Sequence, residues 1–111
     1  MSVAAVNIRI EKGTDFESTF TINSSDGSAF NLASYSATAK IRKHPNAGTA
    51  KTFSTTITAS TGEIKIEMSD TDTSDLSSGR NYYDVVIQHT STEKKTKVFE
   101  GMALVSDTVS I

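Results

Sequence analysis

Three aspartates that lie close together are the residues with the clearest potential for chemistry. Asp70, Asp72 and Asp75 occur in the segment SDTDTSDLSSG, and carboxylates at such short spacing can coordinate calcium. The segment lacks the glycine and the distal glutamate of an EF-hand loop. Ser69 or Asp70 can instead cap a short helical turn. Carboxylates are favoured in the first turn of a helix, and Gly79 would end this one. We therefore predict a capped, solvated helical turn and no metal site.

The histidines and serines are not arranged as catalytic or metal-binding residues usually are. His44 and His89 are predicted at loops or strand ends, where no third ligand accompanies them. No serine occurs in a G-x-S-x-G sequence. The chain contains no cysteine, which excludes disulfides, thiol catalysis and zinc–thiolate sites. We expect no cofactor and no enzymatic activity.

The elements that position these residues can be predicted from composition and periodicity. Serine and threonine make up more than a quarter of the 111 residues, and threonine fits the pleated surface of a β-sheet. That length predicts one domain, residues 1–111, with a single core. The net charge of −2 provides no basic field for nucleic acid, and no apolar run is long enough for a membrane span. No secretory signal is recognisable, so we expect a soluble chain made inside a cell.

Apolar and polar residues alternate in several short segments, which predicts β-strands. In DFESTFTIN, for example, Phe16, Phe20 and Ile22 share one face. Similar alternation recurs in VNIRIEKG, SATAKIR, FSTTITA, EIKIEM, NYYDVVIQH and KTKVFEGMALVSDTVSI. These segments predict an all-β fold, namely an antiparallel β-sandwich of about seven strands with one short helical turn. A barrel is the alternative, and Gly101 marks a possible bulge in the last strand.

A short apolar segment separates two of the predicted strands. The sequence DGSAFNLASYSATAKIRK places Phe30, Leu32 and Tyr35 between a turn and a basic strand. We expect Phe30 and Leu32 to fill the gap where the chain crosses from one sheet to the other. Tyr35 should close the end of the core and bond its hydroxyl to the backbone. Leu76, in the helical turn, should fill another end of the core.

Two adjacent tyrosines must point to opposite faces of their strand. Tyr83 shares the parity of Val85 and Ile87, so we predict it inside, in the core or in a corner hydrogen bond. Tyr82 is then outside, near Val86. An outer patch of this kind is a candidate contact surface for other chains.

Both chain ends are apolar and are further candidates for contact with other chains. Val3 and Val6 lie near the N terminus, and Val109 and Ile111 lie near the C terminus. Each end could add a strand to a neighbouring molecule or pair within its own domain. The sequence leaves both alternatives open.

Four segments occur in an order that can be compared with known families. They are IEKGTDFESTFTI, DGSAFNLASYSATAKIRK, TGEIKIEMSDTDTSDLSSGRNYYDVVI and VFEGMALVSDTVS. This order resembles small structural proteins of tailed bacteriophages, in which an Asp-Leu-Thr-Gly-Tyr phrase leads into a strand ending Ile-Arg. The chain also has the family's Gly-x-x-x-Tyr-Asp strand, from Gly79 to Asp84, and its Glu-Gly pair, Glu100-Gly101. Asn31 replaces the aspartate of that phrase, and Ser34 replaces its glycine. Both residues can bond to nearby backbone.

The resemblance implies both a fold and a function. It implies an immunoglobulin-like sandwich, similar also to the N-terminal domain of phage baseplate upper proteins. It further implies a non-enzymatic virion protein, made in the host bacterial cytoplasm, that assembles with other phage structural proteins and with copies of itself. The tail, baseplate, neck or fibre is the expected place, and a capsid decoration (cement) protein on the head is the alternative.

A carbohydrate-binding module for a host surface is a lesser alternative. Such modules usually stack several exposed aromatic rings on sugars, whereas this chain has no tryptophan and three tyrosines. We expect neither nucleic acid nor a membrane as a partner.

Overall fold

The computed structural model describes residues 4–23, 27, 30–43 and 51–108, which are mostly in β-strands. The strands are β1 (Ala4–Ala5), β2 (Ile8–Glu11), β3 (Phe16–Thr21), β4 (Tyr35–Arg42), β5 (Lys51–Thr58), β6 (Glu63–Met68), β7 (Gly79–His89) and β8 (Lys95–Ser106). A 3-10 turn (Ala59–Thr61) precedes β6, and the helix α1 (Asp70–Ser74) follows it. The all-β prediction is therefore confirmed, with one short helix as expected.

The strands form one curled sheet that folds into two layers. Its order is β1-β8-β7-β4-β5-β6-β3, with β2 also beside β8. Strand β5 joins the layers, because Phe53 pairs with Ala39 of β4 whereas the next residue, Ser54, pairs with Glu67 of β6. We call β1, β2, β8, β7 and β4 layer A, and β6, β3 and the second half of β5 layer B. Within the described residues no pairing joins β3 back to β1 or β2, so the sheet is open rather than a closed barrel.

The sheet is mixed, which corrects the prediction of a purely antiparallel one. Five strand pairings are antiparallel, but β1 and β2 both run parallel to β8. Ile8 lies opposite Ala103, and Ile10 lies opposite Val105. Parallel neighbours need a long connection between them, and here almost the whole domain lies between β2 and β8 in the chain.

The core lies between the two layers and is closed by aromatic contacts across them. The Phe20 ring of β3 is 4.7 Å from that of Phe99 and 6.2 Å from that of Tyr83, both on layer A. Leu76, beyond α1, is buried as predicted. Ser69 caps α1 by accepting a hydrogen bond from the Asp72 backbone N–H at 3.3 Å.

Two predicted boundaries are wrong in detail. Helix α1 ends at Ser74, so Gly79 does not terminate it; Gly79 begins β7 with φ of 99°. The bulge in β8 lies at Val98 rather than at Gly101, because Val85 faces Phe99 while Val86 faces Lys97. The extra residue allows the consecutive apolar residues Val98 and Phe99 both to be buried.

The segment between β3 and β4 carries the chain from layer B to layer A. Leu32 is 1% exposed, and its N–H donates to the Ala59 carbonyl at 3.1 Å. The Phe30 ring is half-buried and lies 5.6 Å from that of Tyr35, which is itself 5.1 Å from the ring of His89. The expected bond of the Tyr35 hydroxyl is not formed to any part of the chain that the structure describes; ring contacts hold Tyr35 instead.

Candidate interaction surface

Tyr83 lies on the inner side of layer A and bonds to the N-terminal segment. It is 4% exposed, and its hydroxyl donates a hydrogen bond of 2.6 Å to the Val6 carbonyl. Burial raises the pKa of Tyr83 to about 12, so the phenol stays protonated at neutral pH. Tyr83 lies directly opposite Gly101 on β8. Because Gly101 has no side chain, the ring can pass over β8 and reach the strand beyond it.

Val6 and Asn7 are held against β8 at the gap between β1 and β2. The Val6 N–H donates to the Glu100 carbonyl at 2.9 Å, and the Asn7 side-chain oxygen accepts from the Met102 N–H at 3.1 Å. A Cβ on Gly101 would collide with the Val6 carbonyl oxygen, so only glycine fits here. Val6 therefore pairs through its backbone within its own domain. Val3, Val109 and Ile111 lie outside the described residues.

Tyr82 points to the opposite, outer face of layer A, as its parity predicts. It is half-buried and lies between Arg42 of β4 and Met102 of β8 in the sheet register. These side chains line an open cleft of about 410 Å³. The cleft is also bordered by Lys40, Asp84, Lys97 and Glu100. An aromatic ring with a methionine and arginine beside it is the composition typical of protein contact surfaces.

Two of the charged side chains around the cleft form an ion pair. The Lys97 ammonium donates to the Glu100 carboxylate at 3.0 Å, and this bond raises the pKa of Lys97. A lysine whose pKa is raised remains a cation at neutral pH, so Lys97 brings a positive charge to the edge of the cleft.

Val86 and Leu104 extend the outer face in two directions. Val86 is half-buried beside a second depression of about 250 Å³, which Thr38, Gln88 and Lys95 also line. Leu104 is 45% exposed, the most exposed large apolar side chain of the described residues. Sequence reasoning missed Leu104 and Met102, because the bulge at Val98 decides which residues of β8 face outward.

The aspartates of α1 and Asp75, which follows it, make structural contacts. Lys51 lies 3.2 Å from the Asp75 carboxylate and 3.7 Å from that of Asp72, and the bond to Asp75 raises the pKa of Lys51. The Asp70 N–H donates to the Asp15 carboxylate at 2.9 Å. In the described ranges no group of at least three potential metal ligands is found, and no helix there is long and apolar enough to cross a membrane.

The histidine predictions fall on different parts of the chain. His89 ends β7, and its Nδ1 accepts hydrogen bonds from the backbone N–H groups of Ser91 and Thr92 at 3.2 and 3.3 Å. It therefore shapes the hairpin between β7 and β8. His44 lies outside the described residues.

Comparison with known proteins finds likeness of fold. No protein-family model matches the chain, and no curated protein matches it. The solved N-terminal domain of phage TP901-1 ORF48 aligns with a TM-score of 0.56 and 10% identity, over 96% of this chain and 99% of that one. A structure from photo-crosslinking analyses of multimeric cell-adhesive interactions of VGSC beta subunits aligns with a TM-score of 0.48 and 19% identity, over 97% of this chain and 98% of that one. At these identities the likeness concerns the fold alone.

Proposed function

We propose that this chain is a non-enzymatic structural protein of a tailed bacteriophage particle. The observation that carries the proposal is the fold likeness to a phage protein domain, which extends over nearly the whole of both chains. The ordered sequence segments that resemble small virion proteins of tailed phages support the same assignment. We assign the chain to the tail, baseplate, neck or fibre, in an immunoglobulin-like form of the sandwich.

The chain would act by binding other phage structural proteins, in copy numbers set by the symmetry of the particle. The outer face of layer A supplies the contact surface, with Tyr82, Met102 and Leu104 as its apolar groups and the neighbouring cations around them. The bond between Tyr83 and Val6 ties β7 to the N-terminal segment on the inner side of this face. A rigid surface loses little conformational entropy on binding, which suits a building block.

Two measurements test the proposal. Mass spectrometry of gradient-purified particles, from the phage whose genome encodes the chain, should detect it at a stoichiometric copy number. Gold labelling of a tagged chain should then mark the tail or its appendages. Label on the head would favour the capsid decoration alternative, and absence of the chain from purified particles would contradict both.

A further inference from the structure

The two outer faces of the sandwich carry opposite charge. The outward side chains of layer A include six cations and three carboxylates, and we call this surface the basic face. The cations are Arg9, Lys40, Arg42, Arg80, Lys95 and Lys97. The carboxylates are Glu11, Asp84 and Glu100. All but Lys95 adjoin a buried residue on their strands, and Lys95 is exposed and lies opposite Gln88 in the register, which places them on the outside of the layer.

The outward side chains of layer B have the reverse balance, and we call this surface the acidic face. Glu17 of β3 and the residues Glu63 and Glu67 of β6 surround one cation, Lys65. The Lys65 ammonium lies 3.5 Å from the Glu17 carboxylate and 3.8 Å from that of Glu67. One lysine cannot neutralise three carboxylates, so the acidic face keeps a net negative charge.

Ion pairs within the basic face leave it positive. Lys97 pairs with Glu100 at 3.0 Å, and Arg9 pairs with Glu11 at 3.5 Å. Lys40, Arg80 and Lys95 add further positive charge, and Asp84 offsets only part of it. The net charge of −2 on the whole chain therefore conceals two faces of opposite sign.

The two faces also offer compatible non-polar groups. Tyr82, Met102 and Leu104 form a row on the basic face, and Arg9 and Arg80 lie on either side of Leu104 in the register. The acidic face is rich in exposed threonines, among them Thr19 and Thr56, whose methyl groups can contact such a row.

We propose that copies of this chain associate head to tail, with the basic face of one copy on the acidic face of the next. The inference rests on the proposed function as an assembly protein and identifies its partner as a second copy. A contact between two different faces leaves one of each free, so further copies can add until a ring closes or a stack forms. Charge complementarity sets the orientation, because a contact between two basic or two acidic faces is repulsive.

Charge reversal on each face gives a direct test by sedimentation velocity at micromolar to millimolar concentration. In low salt the unmodified chain should associate, and high salt should reduce the association because it screens exposed charges. Lys40→Glu/Lys95→Glu makes both faces negative, and Glu17→Lys/Glu67→Lys makes both positive, so each variant alone should remain monomeric. An equimolar mixture of the two variants should associate again.

The matched control is Lys12→Glu/Lys94→Glu, which changes the net charge as much as the basic-face variant does but lies outside both faces. It should associate like the unmodified chain, and thermal unfolding should show that all variants are folded. An unmodified chain that stays monomeric in low salt, or a variant mixture that fails to associate, overturns the inference. Neither result bears on the particle experiment: a monomeric chain that is found in particles retains the proposed function, whereas an associating chain absent from particles loses it.

Discussion

The Tyr83 hydroxyl lies 2.6 Å from the carbonyl oxygen of Val6, across the strand that separates β7 from the N-terminal segment. Gly101, directly opposite Tyr83, makes this bond possible because it leaves room for the ring and for the Val6 backbone. One side chain thus ties three neighbouring strands together.

Removal of the Tyr83 hydroxyl should loosen the N-terminal strand. Tyr83→Phe leaves the Val6 carbonyl without its donor, so the free energy of unfolding should fall by about 1–2 kcal/mol. Amide hydrogen exchange should quicken at Ile8 and Ile10, and denaturant unfolding measures the stability. Tyr35→Phe is the control, because no described residue bonds to the Tyr35 hydroxyl; equal losses in both variants would argue against the anchoring role.

The stability of the unmodified chain should decline at high pH because Tyr83 loses its proton, and Tyr83→Phe should lack this part of the decline. The pKa of Tyr83 is raised from 10.0 to about 12 by burial, so the unfolded chain loses this proton at a lower pH than the folded chain. The contribution is fully present below pH 10 and is lost as the pH rises through about 12. Unfolding midpoints of both proteins across this range should converge as the pH rises; a constant difference would contradict the assignment.

A methyl group at Gly101 should displace the N-terminal strand. In Gly101→Ala the new Cβ collides with the Val6 carbonyl oxygen, and such overpacking typically costs about 1–3 kcal/mol. Gly27→Ala is the comparison, because its Cβ meets nothing within 4 Å and only its φ of 89° opposes the change. Hydrogen exchange should quicken along β2 for Gly101→Ala alone. Unchanged exchange there would mean that the strand accommodates the methyl group.

The crossing segment between β3 and β4 should not tolerate a charge at Leu32. Leu32→Asp buries a carboxylate and removes an apolar side chain that is 1% exposed, so we expect a loss of roughly 3 kcal/mol or more. Asn31→Asp adds the same charge at the exposed neighbour. In the unmodified chain the Ala33 N–H donates to the Asn31 side-chain oxygen at 2.9 Å, and the aspartate keeps an acceptor for it. Thermal unfolding should separate the two variants widely. A melting temperature for Leu32→Asp like that of the unmodified chain would refute its role in filling the core.

The outer face should matter for assembly more than for folding. Tyr82→Ala should lower the amount of chain incorporated into particles, measured by mass spectrometry, because it removes the ring from the cleft. Tyr82→Phe keeps the ring and should be incorporated nearly as well as the unmodified chain. Full incorporation of Tyr82→Ala would place the contact surface elsewhere.

Local patterns in the sequence predicted the burial of individual residues well. Tyr83 is inside and Tyr82 outside because successive side chains of a strand point to opposite faces, whatever the strand pairs with. The same parity placed Ile64 and Ile66 in the core. The residue types limited the helix cap to Ser69 or Asp70, and the structure shows that Ser69 is the cap. The all-β class and the single short helix needed no knowledge of which strands are neighbours.

Only the tertiary structure decided which strands meet and in which direction. The parallel pairing of β2 with β8 joins segments from the two ends of the chain, and nothing in either segment specifies the other. The bulge at Val98, and with it the outward position of Leu104, depends on how β8 fits against β7. The alternation of side chains is a property of each strand's own backbone, whereas pairing, direction and surface composition depend on how distant segments pack together. The sequence therefore encodes the alternation of side chains locally, and it encodes strand pairing, strand direction and surface composition only through the complete fold.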